Sequence, residues 1–169
     1  MGITIHYEGK LNSESSYEQL VELSVNFAIM NEMTFERFAV PVKCLDRVSN
    51  EEDWSYEGPV KGVKIFPSES CEPLWLEFDD NLVVQDFCKT QFADIEVHTR
   101  IIGLFEALNQ CFENLRIADE GEYWDTRDVN RLRELRDECF ELMESAKEQD
   151  GTLSGPFRLE DGRIVDLMH

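Results

Sequence analysis

The chain is short of positive charge. Its 169 residues include 16 Lys and Arg against 36 Asp and Glu, which gives a formal net charge of −20 at pH 7. The acids are spread along the chain and are not gathered in a tail. Because a spread negative field repels phosphate backbones and anionic lipid, direct binding to nucleic acid or to a membrane surface is disfavoured. The excess carboxylates suit a basic protein partner, or they simply keep the protein soluble.

Segments that assign a compartment are also lacking. No apolar stretch approaches the ~18 residues that span a bilayer, and residues 1–5 lack the basic and apolar regions of a secretion signal. The five cysteines are odd in number and irregularly spaced, with no CxxC pair, and no N-x-S/T glycosylation site occurs. These absences predict a cytoplasmic protein with reduced thiols.

Motifs that assign a chemistry are missing as well. The chain has no GxGxxG or GxxxxGK[ST] loop, no HExxH, no GxSxG and no EF-hand loop. We therefore predict no cofactor and no metal site. The composition does not set the oligomeric state.

The chain length suits one domain, since domains typically run to ~100–200 residues. Hydrophobic residues make up 42% of the chain and charged residues 31%, which is typical of globular proteins. A chain of this size buries enough surface to fold without a disulfide or a metal. We predict a single domain over residues 1–169, in which residues 150–169 form a C-terminal hairpin appendage that turns at Asp161-Gly162.

Apolar periodicity predicts a mixed order of strands and helices. Alternation at a period of two predicts strands at residues 2–8, 38–42, 60–66, 74–78 and 82–87. Spacings of three and four residues predict helices from Ser15 or Ser16 to about residue 31, from Asp94 to Phe112, and from Asp125 or Thr126 to about residue 149. Pro41 reduces the second strand to an edge or broken strand.

The order of these elements predicts the fold class. The last three strands are expected to form an antiparallel meander, preceded by a polar loop at residues 49–59. Because helices do not alternate with strands, a doubly wound parallel sheet is disfavoured. We predict an α+β fold, with a mostly antiparallel sheet and about three helices packed on one face.

His98 is the most informative histidine. It lies on the apolar face of the second predicted helix, one turn from its start. This position suits a general base or a metal ligand, and it also suits a buried neutral histidine bonded to the preceding loop. Lys89 and Gln91 precede that helix, where they could hold an anion beside free backbone N–H groups or take part in ordinary capping.

The segment 119–125 concentrates four carboxylates and two aromatic rings. Such a segment can bind a hard cation, or pair with a partner's Arg or Lys beside an aromatic anchor. The alternative is a solvated loop with Trp124 packed on the core. The next helix carries four arginines in its N-terminal half, where the macrodipole disfavours cations: Arg127, Arg131, Arg133 and Arg136. We expect these arginines to hold the acidic loop.

Four segments resemble a family of bacterial proteins of unassigned function. They are GITIHY at 2–7, CEPL at 71–74, KTQFA at 89–93 with His98, and DEGEYW at 119–124. The resemblance runs from the first strand into the last helix and implies no known activity. Within these segments the candidate catalytic residues are His98, Lys89 and Glu120, and the candidate binding residues are Glu72, Gln91, Asp119, Tyr123 and Trp124.

Two functions of different classes remain. The favoured one is a non-catalytic protein-interaction or regulatory factor whose acidic surface meets a basic partner. The alternative is a small-ligand-binding protein, or an acid/base or metal-assisted enzyme, with a pocket at the start of the His98 helix. A cavity shared by several polar side chains would favour the alternative: His6, Glu72, Lys89, His98 and Glu120.

Overall fold

The computed structural model describes residues 2–169. In chain order its elements are β1 (Thr4–Leu11), α1 (Glu14–Met30), β2 (Thr34–Ser49), β3 (Glu52–Phe66), β4 (Leu74–Phe78), β5 (Val83–Lys89), α2 (Ile95–Leu108), β6 (Phe112–Asp119), α3 (Tyr123–Thr126), α4 (Val129–Gln149), β7 (Phe157–Arg158) and β8 (Ile164–Val165). All strand pairs are antiparallel. The predicted α+β class is confirmed.

The strands form three sheets, in the orders β5-β1-β6, β2-β3-β4 and β7-β8. The predicted meander is wrong at its last strand, because β5 leaves β4 and pairs with β1 instead. This pairing places the buried residues Cys88 and Val84 opposite Ile5 and Gly9 of β1. The long-range pairing therefore follows from burial of apolar surface.

The core lies on one face of the sheet β5-β1-β6. Side chains alternate along β1, so that Ile5, Tyr7 and Leu11 are buried while His6 and Lys10 are exposed. Helix α2 places a buried stripe against this face, and the rings of Tyr7 and Phe105 lie 4.8 Å apart. The opposite face of the sheet carries polar and exposed side chains and is open.

The predicted polar loop at residues 49–59 is wrong. Strands β2 and β3 continue through it as a hairpin that closes on the two residues Asn50 and Glu51. Both have positive φ, 52° and 65°, which is the type I′ geometry that matches the twist of paired strands. Exposed acids on both faces of the hairpin hide its alternation in the sequence. Pro41 lies where the register shifts between Val40 and Lys43, and β2 continues through it as an edge strand, which confirms the edge alternative of the prediction.

Three helix boundaries also differ from the prediction. α1 begins after the N-cap Ser13 and not at Ser15 or Ser16, because the Ser13 side chain accepts the N–H of Ser16. α2 ends at Leu108 and is followed by a 3-10 turn at Asn109–Cys111, and Phe112 begins β6 because pairing with β1 outweighs a continued apolar stripe. α4 begins after Asp128, whose side chain accepts two backbone N–H groups, so Asp125 and Thr126 are not its caps. The C-terminal hairpin with its turn at Asp161-Gly162 is confirmed.

Within residues 2–169 no helix is both long enough and apolar enough to cross a membrane.

Candidate functional site

His98 lies in a buried polar cluster, with 2% of its surface exposed. Its Nε2 is 3.1 Å from Asp119 Oδ2, and its Nδ1 is 2.7 Å from Thr90 Oγ1. Because an ionised carboxylate only accepts hydrogen bonds, Nε2 carries a proton and donates to Asp119, while Nδ1 lies within hydrogen-bond distance of the Thr90 hydroxyl. Both ring nitrogens are therefore used inside the fold, as in a buried histidine bonded to the preceding loop.

Asp119 is the centre of this cluster, and its side chain is fully buried. Besides His98, it accepts the N–H of Gly121 at 2.7 Å on Oδ1 and the N–H of Trp124 at 2.9 Å on Oδ2. Burial raises the pKa of Asp119, but the hydrogen bond and charge of His98 and the two N–H donors outweigh it and hold the pKa below its usual value. The carboxylate fastens the segment after β6 to α2.

Glu72 is buried and joins the C-terminal hairpin to the sheet. Its carboxylate accepts the N–H of Lys89 and the N–H of Ile164, each at 2.8 Å. Arg163 Nη1 lies 3.2 Å from the same carboxylate, and Arg163 Nη2 lies 2.5 Å from Asp86 Oδ1. These contacts satisfy Glu72 inside the fold and give it a structural role.

Lys89 and Gln91 are also engaged by the chain itself. Lys89 Nζ lies 2.7 Å from Asp166 Oδ1. The Gln91 side chain accepts the N–H of Ile3 at 3.0 Å and donates to Met143 Sδ at 3.3 Å. The groups expected to hold an anion before α2 therefore have internal partners.

The acidic loop and the arginine-rich start of α4 are in contact. Arg131 reaches both oxygens of Glu122, with Nε 3.0 Å from Oε2 and Nη2 3.3 Å from Oε1. The guanidinium of Arg127 lies 4.9 Å from the centre of the Trp124 ring.

The prediction that arginines hold the acidic loop through its carboxylates is confirmed for Arg131. It is wrong for Arg127, which pairs with Glu106 of α2, and for Arg136, which donates to the carbonyl of Ala93. Within the described residues Arg133 makes no ion pair with the loop.

The open face of the sheet β5-β1-β6 forms one side of a cleft of about 1170 Å³. Residues of β1, β5 and β6 lie along one side, β2 lies along another, and Trp124 lies at its border. Three cations in the cleft are each paired with a carboxylate: Arg116 with Glu8, Lys43 with Glu77, and Arg163 with Asp86. Asp46 and Asp161 also line it and are exposed, and within the described chain neither forms an ion pair.

The hairpin at residues 43–58, here called the arm, is docked on β5. Arg47 donates to the carbonyl of Gln85 at 3.0 Å and to that of Val83 at 3.3 Å. The side-chain amide of Gln85 in turn bonds both the N–H and the C=O of Val48. Arg47 is only 5% exposed, so these contacts hold the arm against the body of the protein.

The arm surface is acidic and carries an exposed aromatic ring. Five of its carboxylates are exposed, and within residues 2–169 none takes part in an ion pair: Asp46, Glu51, Glu52, Asp53 and Glu57. Trp54 is 45% exposed and Val48 is 54% exposed. A hairpin with exposed free carboxylates and an exposed aromatic ring suits a cationic partner.

The structure does not bring the candidate residues into one cavity. His98, Asp119, Gln91 and Glu72 are buried, and Lys89 is held by Asp166. The remaining candidates lie on or near the surface. Tyr123 packs edge-on to His98, Trp124 borders the cleft, and Glu120 lies 3.7 Å from His6 beside it. Within residues 2–169 no three His, Cys, Asp or Glu side chains are grouped as ligands for a metal ion.

Sequence reasoning missed Arg47, Gln85 and the arm. Acids on both faces hide the alternation of residues 43–58, and Arg47 occupies an inward position that an apolar residue usually holds. Its role depends on carbonyl groups 36 and 38 residues away in the chain. No local pattern reports such a contact.

The chain matches no protein-family model, and it matches neither a curated protein nor a solved structure. The resemblance carried by the four segments therefore stays a prediction, and function must be argued from the geometry.

Proposed function

We propose that this protein is a non-catalytic interaction or regulatory factor that binds a basic protein partner. The observation that carries the proposal is the arm, a hairpin that is fixed to the body and that bears five exposed, unpaired carboxylates and the exposed ring of Trp54. Aromatic residues dominate the binding energy of many interfaces, and complementary charge raises association rates. A docked arm also loses little conformational entropy on binding.

The distribution of the cations supports the same proposal. Lys43, Arg116 and Arg163 already hold carboxylates, so their charge is largely used within the chain. The free charge that a partner meets at the arm and the cleft is therefore negative. The same field disfavours nucleic acid and anionic lipid. All five cysteines are free thiols, which is consistent with a reducing cytoplasm.

The test compares two variants that each lose four acidic charges. The arm variant carries Glu51→Gln, Glu52→Gln, Asp53→Asn and Glu57→Gln. The helix variant carries Asp137→Asn, Glu138→Gln, Glu141→Gln and Glu148→Gln on exposed positions of α4. Net charge and residue types match, so only the position of the lost charge differs.

Each immobilised protein is incubated with an extract of the source organism at about 50 mM and about 500 mM salt, since salt screens exposed charges. We expect wild type and the helix variant to retain the same basic protein at low salt, and the arm variant to lose it. Retention of that protein by the arm variant at the wild-type level would contradict the proposal.

A small-ligand-binding or enzymatic function is the second candidate. It is favoured by the pair His6 and Glu120, whose side chains are about half exposed and 3.7 Å apart beside the cleft. An exposed imidazole next to a carboxylate can exchange protons with a bound molecule. Thermal unfolding with a panel of small metabolites tests it: stabilisation of wild type that His6→Ala abolishes is expected, and no stabilisation by any compound would count against it.

A further inference from the structure

The outer edge of β6 has unpaired main-chain groups. In an antiparallel pair, alternate residues exchange hydrogen bonds with the neighbour and the others point away from it. Glu120 donates to the carbonyl of Thr4, which sets the alternation so that Ala118, Arg116 and Asn114 bond β1. The N–H and C=O groups of Leu115 and Ile117 therefore point outward, and no described residue bonds them.

The opposite edge of this sheet, on β5, and the end of β2 nearest to it are covered by the chain itself. The outward carbonyls of Val83 and Gln85 on β5 accept from Arg47, and that of Phe87 accepts from Arg163. The outward N–H of Lys89 donates to Glu72. On β2 the N–H and C=O of Val48 are bonded by the Gln85 amide.

The outer edge of β6 is open, in contrast to the edge of β5, whose outward main-chain groups are bonded by other parts of the chain. Natural proteins protect free edges with prolines, lysines, bulges or covering segments, because a free edge is a template for another strand. From Phe112 to Asp119 the chain has no proline and no lysine, and its one irregularity lies at the beginning of the strand, opposite Lys10 and Leu11. Residues 114–118 remain regular, and the one charged side chain among them, Arg116, is paired with Glu8.

We propose that an extended segment of a basic partner protein adds to β6 as a further antiparallel or parallel strand. The inference rests on the proposed function and specifies where and how that partner binds. Main-chain hydrogen bonds to Leu115 and Ile117 give the affinity, and alternate side chains of the added strand give the specificity. A strand of about seven residues covers this edge at a rise of ~3.3 Å per residue.

The flanking side chains fix the chemistry of that segment. On the core side, Leu115 and Ile117 are partly buried and pack against the hydrophobic core, so the added strand meets them with apolar side chains. On the open side, Ala118 leaves space beside the exposed carboxylate of Glu120, which suits Lys or Arg. The segment therefore alternates basic and apolar residues.

Two exposed carboxylates flank this edge. Glu113 and Glu120 lie at its two ends, and within residues 2–169 neither pairs with a lysine or an arginine. The exposed cation between them, Arg116, is paired with Glu8. The free charge along the edge is therefore negative, which assigns it to a basic partner.

The probe is a library of seven-residue peptides with blocked ends, in which Lys or Arg alternates with Val, Ile or Thr. Immobilised wild-type protein selects peptides from the library, and the selected peptide is titrated into the variants. Ile117→Pro removes an outward N–H but no bond to β1, whereas Ile117→Ala keeps the N–H and removes the same side-chain contacts. Net hydrogen-bond energies predict that the proline variant binds about fivefold more weakly than the alanine variant.

Amide hydrogen exchange in the wild type keeps the test valid should Ile117→Pro fail to fold. Bound peptide is expected to slow exchange at Leu115 and Ile117 at least about tenfold, because both N–H groups become hydrogen-bonded. No selected peptide, equal binding by the proline and alanine variants, or unprotected amides at these residues would overturn the inference. A wild-type dimer that Ile117→Pro dissociates would assign the edge to a second copy of this chain and would also overturn it.

Failure of the strand-addition inference can be distinguished from failure of the proposed function. A partner from the extract that depends on the arm carboxylates but ignores Ile117→Pro removes the strand-addition inference alone. A partner whose retention ignores the arm variant removes the proposed function itself.

Discussion

Replacing Asp119 by alanine should be among the most damaging single changes to this fold. The carboxylate accepts three hydrogen bonds, from His98 at 3.1 Å, Gly121 at 2.7 Å and Trp124 at 2.9 Å. Its removal leaves three donors without their acceptor in a partly buried region. A buried donor left unsatisfied costs about 1–3 kcal/mol.

We expect Asp119→Ala to lower the free energy of unfolding by about 3–5 kcal/mol, since water entering the space satisfies part of what is lost. That is a large fraction of the ~5–15 kcal/mol by which a domain is typically stable. Urea denaturation at pH 7, followed by far-ultraviolet circular dichroism, measures the change. Asp119→Asn keeps one acceptor oxygen and should cost less than alanine.

The neighbouring Glu120→Ala is the control, because Glu120 is exposed and should change stability by less than about 0.5 kcal/mol. A cost below about 1 kcal/mol for Asp119→Ala would refute the reasoning that this carboxylate fastens the loop after β6 to α2. Equal costs for the two alanine variants would refute it as well.

Two further predictions concern the arm and acid stability. Glu51→Gly should raise the free energy of unfolding by about 0.5–1 kcal/mol in urea titrations, because Glu51 has a φ of 65° in a type I′ turn that glycine adopts without strain. Asp53→Gly, within β3, is the control and should lower the free energy of unfolding. A lower free energy of unfolding for Glu51→Gly would contradict the turn assignment. The pKa of Asp119 is lowered in the fold, so its stabilisation is present above the unfolded pKa of about 3.9 and is lost as pH falls through the folded value. Between about pH 5 and pH 2 the urea midpoint of wild type should fall more steeply than that of Asp119→Asn, and parallel curves would contradict this.

Local patterns in the sequence predicted much of the fold. The alternation of Ile5 and Tyr7 against His6 marked β1, and the apolar stripe of α2 marked the helix that covers it. Asp161-Gly162 marked the C-terminal turn. These predictions were correct because each signal lies within a few residues of the element that it predicts.

Pairings between distant segments could not be predicted from local sequence patterns. β6 was missed because polar residues alternate in it with Leu115 and Ile117, which are only partly buried and give a weak apolar signal. The strand is stabilised by its pairing with β1, which lies more than a hundred residues earlier in the chain. The arm was missed because acids occupy both of its faces. In both places long-range contacts override the local pattern.

The candidate site divides in the same way. The apolar stripe placed His98 on a core-facing helix surface, but its role depends on Thr90 and Asp119, which lie 8 and 21 residues away. The clustered acids of residues 119–125 and the arginines after them indicated a local contact, and Arg131 makes it with Glu122. The exposed carboxylates that matter for the proposed function lie instead on the arm, far from any recognised motif.

The central claim is that the arm carboxylates draw in a basic partner. The most direct measurement is the association rate constant of the retained partner with wild type, the arm variant and the helix variant, between about 50 mM and 500 mM salt. We predict a rate for wild type and the helix variant that falls steeply with salt, and for the arm variant a rate that is about tenfold lower at 50 mM and nearly independent of salt. Equal rates and equal salt dependence for the arm and helix variants would contradict the account.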